Sequence, residues 1–168
     1  MQTIVRRSEK QAERGGAMPE GTAIILLMFG LIFLVVDLSL ALFTKATLQS
    51  AVRAGVRFAV TDQLVSGQSY MNDSIVQVVQ QNAQGLLNGN HGACMININY
   101  TNPVTGQTST GNPGDIVEVS ISSYQYSPVG VLKSSNPIGI SASSSDVLEA
   151  CPVTGCPAVI NPAPSSCN

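Results

Sequence analysis

The sequence predicts an α+β fold: a long N-terminal helix, apolar in its first half, then a second helix packed on a three-stranded antiparallel sheet. Three observations predict it. No proline falls between Pro19 and Pro103, so nothing in that stretch must break a helix. Residues 21–36 carry no charge, and the apolar run resumes after Asp37 as far as Phe43. Three later segments alternate apolar and polar side chains at period two, the pattern of a sheet packed on one face and wet on the other. At 168 residues the chain has room for one globular domain plus an anchor.

Pro19 suits the first position of a helix, where its missing N–H costs nothing. The apolar run of about twenty residues is what a membrane-spanning helix needs. Residues 45–60 keep helical period, with Leu48, Val52, Val56 and Ala59 on one face and Arg53 and Arg57 beside that stripe. The expected element is one helix over 19–60, roughly 60 Å long at 1.5 Å per residue. Its outer half presents the Leu48, Val52, Val56, Ala59 face to the sheet. Asn72 or Asp73 is placed to cap a second helix whose apolar side holds Ile75, Val78, Val79 and Leu86, ended by the Gly-Asn stretch 88–92.

The strand segments follow. Residues 94–100 place Ile96 and Ile98 on one face. Residues 115–126 place Val117, Val119 and Ile121 against Glu118, Ser120 and Ser122. Residues 138–147 place Ile138, Ile140 and Ala142 against Ser141 and Ser143. Gly- and Pro-bearing loops separate them, and the tail from Cys151 reads as coil pinned by cysteines.

Charge is divided along the chain. Residues 1–57 hold seven of the eight basic residues against four acids, a net of +3; residues 58–168 hold Lys133 against six acids, a net of −5. A nucleic-acid binder concentrates Lys and Arg on its folded domain, so that class is excluded. The basic head (Arg6, Arg7, Lys10, Arg14) predicts a cytoplasmic N-terminus and about 120 residues outside the inner membrane. All four cysteines, Cys94, Cys151, Cys156 and Cys167, fall in that exported part, where disulfides persist. Their spacing and the single histidine, His91, favour structural disulfides over a metal site.

In a three-strand meander the first and third strands run parallel, so Cys94 and Cys151 lie at opposite ends of the sheet, ~20–25 Å apart. A direct bond needs Cα atoms within about 7 Å. The expected pairs are therefore Cys151 with Cys156, closed locally, and Cys94 with Cys167. No nucleophile–base set, phosphate-cradling loop or metal quartet emerges, so neither an enzyme nor a cofactor is expected.

Gly15-Gly16-Ala17-Met18-Pro19-Glu20 ahead of an apolar helix containing Asp37, the stretch Leu48-Gln49-Ser50-Ala51-Val52-Arg53-Ala54-Gly55-Val56-Arg57-Phe58-Ala59, and the later Pro113-Gly114-Asp115-Ile116-Val117-Glu118-Val119, Tyr124-Gln125-Tyr126-Ser127-Pro128 and Ile140-Ser141-Ala142-Ser143 resemble the TadE-like minor pilins, or pseudopilins, of the tight-adherence (Tad) pilus system. The resemblance implies a pilin-like α+β fold and a subunit that contributes to assembly, priming or tip structure of an adhesion pilus. It implies a leader over residues 1–15, a membrane half over 16–43, an exported domain over 44–150 and a Cys/Pro-rich tail over 151–168. A prepilin peptidase would cut between Gly15 and Gly16. The implied partners are that peptidase, other major and minor pilins, the inner-membrane pilus platform and membrane lipid. The chain would be a single-pass inner-membrane protein with a periplasmic domain that can enter an extracellular pilus.

After such a cut Glu20 becomes the fifth residue of the mature chain, where pilin-like assemblies use an acid to offset a neighbour's new amino terminus. The plainer role for Glu20 is to complement the helix dipole. An intramembrane acid such as Asp37 is a functional candidate by default. It stands seventeen residues beyond Glu20, about 25 Å along the axis, near the outer interface where water would reach it. Contact with a helix partner and interfacial placement both fit. Arg53 and Arg57 read as solvated or paired surface residues, and Tyr124 and Tyr126 as sheet-face packing. The alternative is a signal-anchored exported domain that binds a partner without entering a filament. It could be cut by an ordinary signal peptidase after Ser39-Leu40-Ala41 or Thr44-Lys45-Ala46, which Asp37 inside the apolar region disfavours.

Overall fold

A computed structural model describes residues 17–61, 63–128 and 137–149. The elements are helix α1 (Ala17–Val60), helix α2 (Met71–Asn82), a short helix α3 (Gly89–Cys94), and strands β1 (Ile96–Thr101), β2 (Ile116–Tyr126) and β3 (Ile138–Val147). The arrangement is the expected α+β one. Helix α1 has 44 residues, about 66 Å at 1.5 Å per residue. Hydroxyls within its apolar part turn back onto their own helix: Ser39 Oγ donates to the Val35 carbonyl at 2.8 Å and Thr44 Oγ1 to the Leu40 carbonyl at 2.9 Å, which satisfies them without water. The helix stops where Thr61 N–H and Oγ1 both turn back to the Phe58 carbonyl.

The three strands form one antiparallel sheet in the order β1-β2-β3, with Ile98 opposite Val119 and Ile121 opposite Ala142. This is the meander expected from the alternation. Its packed face carries Val117, Val119 and Ile121, flanked by Ile96 and Tyr100 on one side and Ile140 and Ala142 on the other, all buried. Leu48, Ala51, Val52, Val56 and Ala59 of α1 close the core together with Met71, Ile75 and Val79 of α2. The α1 contribution thus contains the whole Leu48, Val52, Val56, Ala59 stripe. At Gly55 the two helices come so close that an added Cβ would overlap Val79 Cγ2, so a glycine is required there by contact rather than by backbone conformation.

Strand β2 departs from simple alternation. Between Ile121 and Tyr124 the register with β3 slips by one residue, and Ser123 adopts φ 58°. This β-bulge inserts one unpaired residue and reverses side-chain parity. Without it Ser123 and Gln125 would face the core. With it Tyr124 and Tyr126 do, opposite Ile140 and Ile138. Both tyrosines pack partly buried against the core cluster, the role expected for them. Ile138, expected on the packed face, is instead 45% exposed because it begins β3 at the rim, beyond the continuous core.

The α2 region differs from expectation in three places. Tyr70, not Asn72 or Asp73, is the N-cap, and it makes no side-chain capping bond. Asn72 is otherwise engaged: its Oδ1 accepts from the Tyr100 hydroxyl at 2.8 Å, tying α2 to β1. The helix ends at Asn82, and the chain turns through Gln84 (φ 50°) and Gly85 (φ 86°). That turn leaves Leu86 half-buried and delivers Leu87 to the core in its place. Finally, 88–92 is not a loop, because Gly89–Cys94 forms α3 and delays β1 from residue 94 to Ile96. Gln80 Nε2 holds this reversal by donating to the Leu87 and Gly89 carbonyls at 2.8 and 2.9 Å. Gly92 packs against the Leu87 backbone so closely that a Cβ there would collide with it.

Buried Asp115 organises the end of the sheet remote from Ile138. Its carboxylate accepts from Ser109 Oγ and from Asn112 N–H, while its carbonyl accepts from Leu148 N–H at 2.8 Å. The acid therefore serves the loop between β1 and β2 and fastens the residue that follows β3.

Candidate functional site

Helix α1 is a single continuous element with two environments. From Glu20 outward it is long and apolar enough to cross a membrane, and its large side chains from Ile24 to Val36 stand exposed. Nothing among the described residues covers them. Glu20 is exposed in the first turn, the place where a carboxylate is favoured by the unpaired N–H groups of a helix start. Gly15 and Gly16 lie outside the described residues, as do Cys151, Cys156 and Cys167.

The second environment begins abruptly. Asp37 is only 3% exposed, which corrects the expectation that water reaches it. From Asp37 a stripe at helical spacing turns toward the domain: Ala41 half-buried, then Thr44, Leu48, Ala51, Gly55 and Ala59 buried. Near Asp37 the Tyr126 hydroxyl donates to the Asp37 carbonyl oxygen in a long contact of 3.5 Å. Further along the helix, Gln49 Nε2 donates to the Ser143 carbonyl of β3 at 3.0 Å. These two ties set β3 alongside α1 in the same direction, so the Tyr126 and Ile138 end of the sheet lies nearest the apolar half of the helix. Arg53 and Arg57 are exposed, as expected for surface residues.

The Tyr126 tie escapes a reading of the sequence because it depends on the bulge. The one local signal is Ser122-Ser123, which interrupts a run of apolar alternation that resumes one place out of step at Tyr124. Cys94 ends α3. Next to it a cleft of about 380 Å³ is bordered by His91, Met95, Ser123 and Tyr124. Among the described residues no three His, Cys, Asp or Glu side chains gather as a metal site would require.

The geometry of the site is therefore that of a bare apolar helix which becomes, without a break, the cover of a folded domain. Such an element can anchor and can transmit position along its length. The family model described as TadE-like protein matches residues 15–57, the segment from the Gly15-Gly16 pair through the packing face of α1. That match is consistent with a TadE-like pilin of the Tad system. No curated protein and no solved structure matches the chain.

Proposed function

We propose that the chain is a TadE-like minor pilin or pseudopilin, processed by a prepilin peptidase between Gly15 and Gly16 and contributing to assembly, priming or tip structure of a Tad pilus. The observation that carries this reading is the position of the Gly-to-Glu motif directly before an unbroken helix. A cut at that point removes the basic head and leaves the anchor, the packing face and the domain as one piece. The partners are then the peptidase, other pilins, the pilus platform at the inner membrane, and lipid. The N-terminus starts in the cytoplasm and the domain lies in the periplasm until the subunit enters a fibre. The protein acts by assembly and contact and carries out no reaction of its own.

The mass of the mature N-terminus tests it. A chain beginning at Gly16 is expected. A first residue in the forties would overturn the reading in favour of an ordinary secreted domain, and a retained residue 1 would remove processing altogether. Glu20 is then the acid that offsets a neighbouring subunit's new amino terminus, since an unpaired charge in lipid costs at least about 2–3 kcal/mol. Glu20→Ala should leave cleavage nearly intact while lowering recovery of the protein in sheared pili relative to the membrane fraction. Normal incorporation of that variant would end the pairing role.

The cysteines belong to the same exported reading. The sheet order supports pairing Cys94 with Cys167 and Cys151 with Cys156. Cys94 precedes β1 at one end of the sheet, whereas β3 finishes at the other, opposite the start of β2. The two ends lie about 17 Å apart over roughly five residues of strand. Cys151 follows too soon after Val147 to return that distance. Non-reducing peptide mapping should recover those two links, and a peptide joining Cys94 to Cys151 would reject the assignment.

A further inference from the structure

We infer that the cleft beside α3 is a binding site for a neutral saccharide, with a ring or two of sugar held between α3 and the bulge of β2. The inference uses no part of the membrane anchor and stands apart from the proposed role in a pilus.

Three segments build the cleft, and each is fixed by contacts of its own. The reversal after α2 is held by the Gln80 amide, which donates to the Leu87 and Gly89 carbonyls. Helix α3 is set against that reversal by the close approach of Gly92 to the Leu87 backbone. The third wall is β2 at its bulge, joined to the residue after α3 by the Ser122 N–H, which donates to the Met95 carbonyl at 3.2 Å. The extra residue there bends the strand and leaves Ser123 and Gln125 exposed at the border of the cleft. A site whose walls are already in place loses little ordering entropy when a ligand arrives.

The volume of about 380 Å³ lies at the small end of the range for ligand sites. Leu86, Met95 and Tyr124 border it half-buried, while Asn88, His91, Ser123 and Gln125 stand exposed around them. An apolar floor therefore carries a rim of amide, imidazole and hydroxyl groups, each able both to donate and to accept. Among the described residues at its border none is Asp, Glu, Lys or Arg, so an ion would give up hydration without meeting a permanent counter-charge. A purely apolar ligand would strip water from the rim and return no hydrogen bonds. A neutral sugar suits both parts, since its hydroxyls donate and accept while its C–H faces lie against Leu86, Met95 and the Tyr124 ring.

A peptide is the other neutral ligand rich in donors and acceptors. Sheets take up peptides along a free edge, where backbone groups are unpaired. Here β2 is the central strand, and the Met95 carbonyl already accepts from Ser122. The cleft offers side-chain tips around a small apolar floor instead of a backbone ladder, which matches the hydroxyls of a ring better than an extended chain.

The test uses the full chain in nanodiscs of phosphatidylethanolamine and phosphatidylglycerol, free of sugar-based detergent, with saturation-transfer NMR read on the ligand. Lactose, maltose and diacetylchitobiose are the probes, and glucuronate and a capped tripeptide of alanine are the controls. Saturable transfer to at least one disaccharide, above that with empty nanodiscs, is expected. Asn88 makes no capping bond to α3 and Gln125 is exposed, so Asn88→Ala and Gln125→Ala should leave the fold intact. Each should weaken binding by about 2- to 10-fold, the loss of one hydrogen bond. Asn99→Ala, exposed on β1 outside the cleft, should leave it unchanged. Galactosyl diacylglycerol added to the nanodiscs displaces the disaccharide if the cleft takes a lipid-borne sugar and leaves it bound if the sugar comes from a glycan outside the bilayer. The absence of saturable transfer to all three disaccharides overturns the inference. So does full-strength binding after both substitutions, which would place the sugar elsewhere. Binding of the tripeptide or of glucuronate as tightly as the sugars would also overturn it, by assigning the cleft to another chemistry.

Discussion

Val52→Asp should abolish the protease resistance of the folded domain and remove its cooperative thermal transition. Val52 has no exposed surface and lies at the centre of the α1 face that meets the sheet. The substitution removes apolar contacts and strands a carboxylate away from water, within the apolar core shared by the sheet and α2. An uncompensated buried charge costs about 3–5 kcal/mol, a large part of the roughly 5–15 kcal/mol that holds a typical domain together. Val52→Ala should cost only about 2 kcal/mol, because it deletes two methyl groups and leaves no charge. Arg53→Asp, one residue away and exposed, should change stability by no more than about 0.5 kcal/mol. The ordering of the three variants in limited proteolysis is the decisive readout. If Val52→Asp digests as slowly as the parent, α1 does not cover the sheet in solution.

Gly15→Leu should block maturation. The proposed cut requires the peptidase to accept the residue on the amino side of the scissile bond in a space that fits glycine. A branched four-carbon side chain has no room there, and steric rejection of this kind is worth about 10²-fold or more in rate. The precursor should accumulate with its basic head still attached, which whole-protein mass reads directly. Gly15 precedes the first described residue of α1 and every residue of the core cluster in sequence, so domain stability should be unaffected. That separates it from Val52→Asp, where folding is the readout. Mature chains that begin at Gly16 despite Gly15→Leu would remove the site assignment while leaving the fold untouched.

Local pattern carries much of this architecture. Leu48, Val52, Val56 and Ala59 recur at helical spacing, and a helix with one apolar face has few ways to bury it other than against the sheet that follows. The alternation of Val117, Val119 and Ile121 likewise sets which side of β2 packs, because a strand's side chains must point alternately to opposite faces. The meander order follows from the tendency of strands consecutive in sequence to pair, with Gly- and Pro-marked connections between them. These are consequences of backbone period, which a chain displays in every few residues.

Three features depend on contact between distant segments. The bulge at Ser122 and Ser123 is one extra residue whose effect appears only when β2 is set against β3. It alone puts Tyr124 and Tyr126 on the core side. Asn72 reads locally as a cap, yet its oxygen accepts from Tyr100 across the fold, and a distant donor can compete successfully with a local N–H. For Asp37 the sequence leaves both interfacial placement and contact with a helix partner open; that it is buried is decided by what stands beside it. Periodicity and composition are enough to establish the long helix, its apolar length, the face it offers and the alternation of the strands. How far down that helix the domain reaches, and which polar groups it shelters, emerge only once the segments are packed together, since register and burial are properties of pairs of segments rather than of either one.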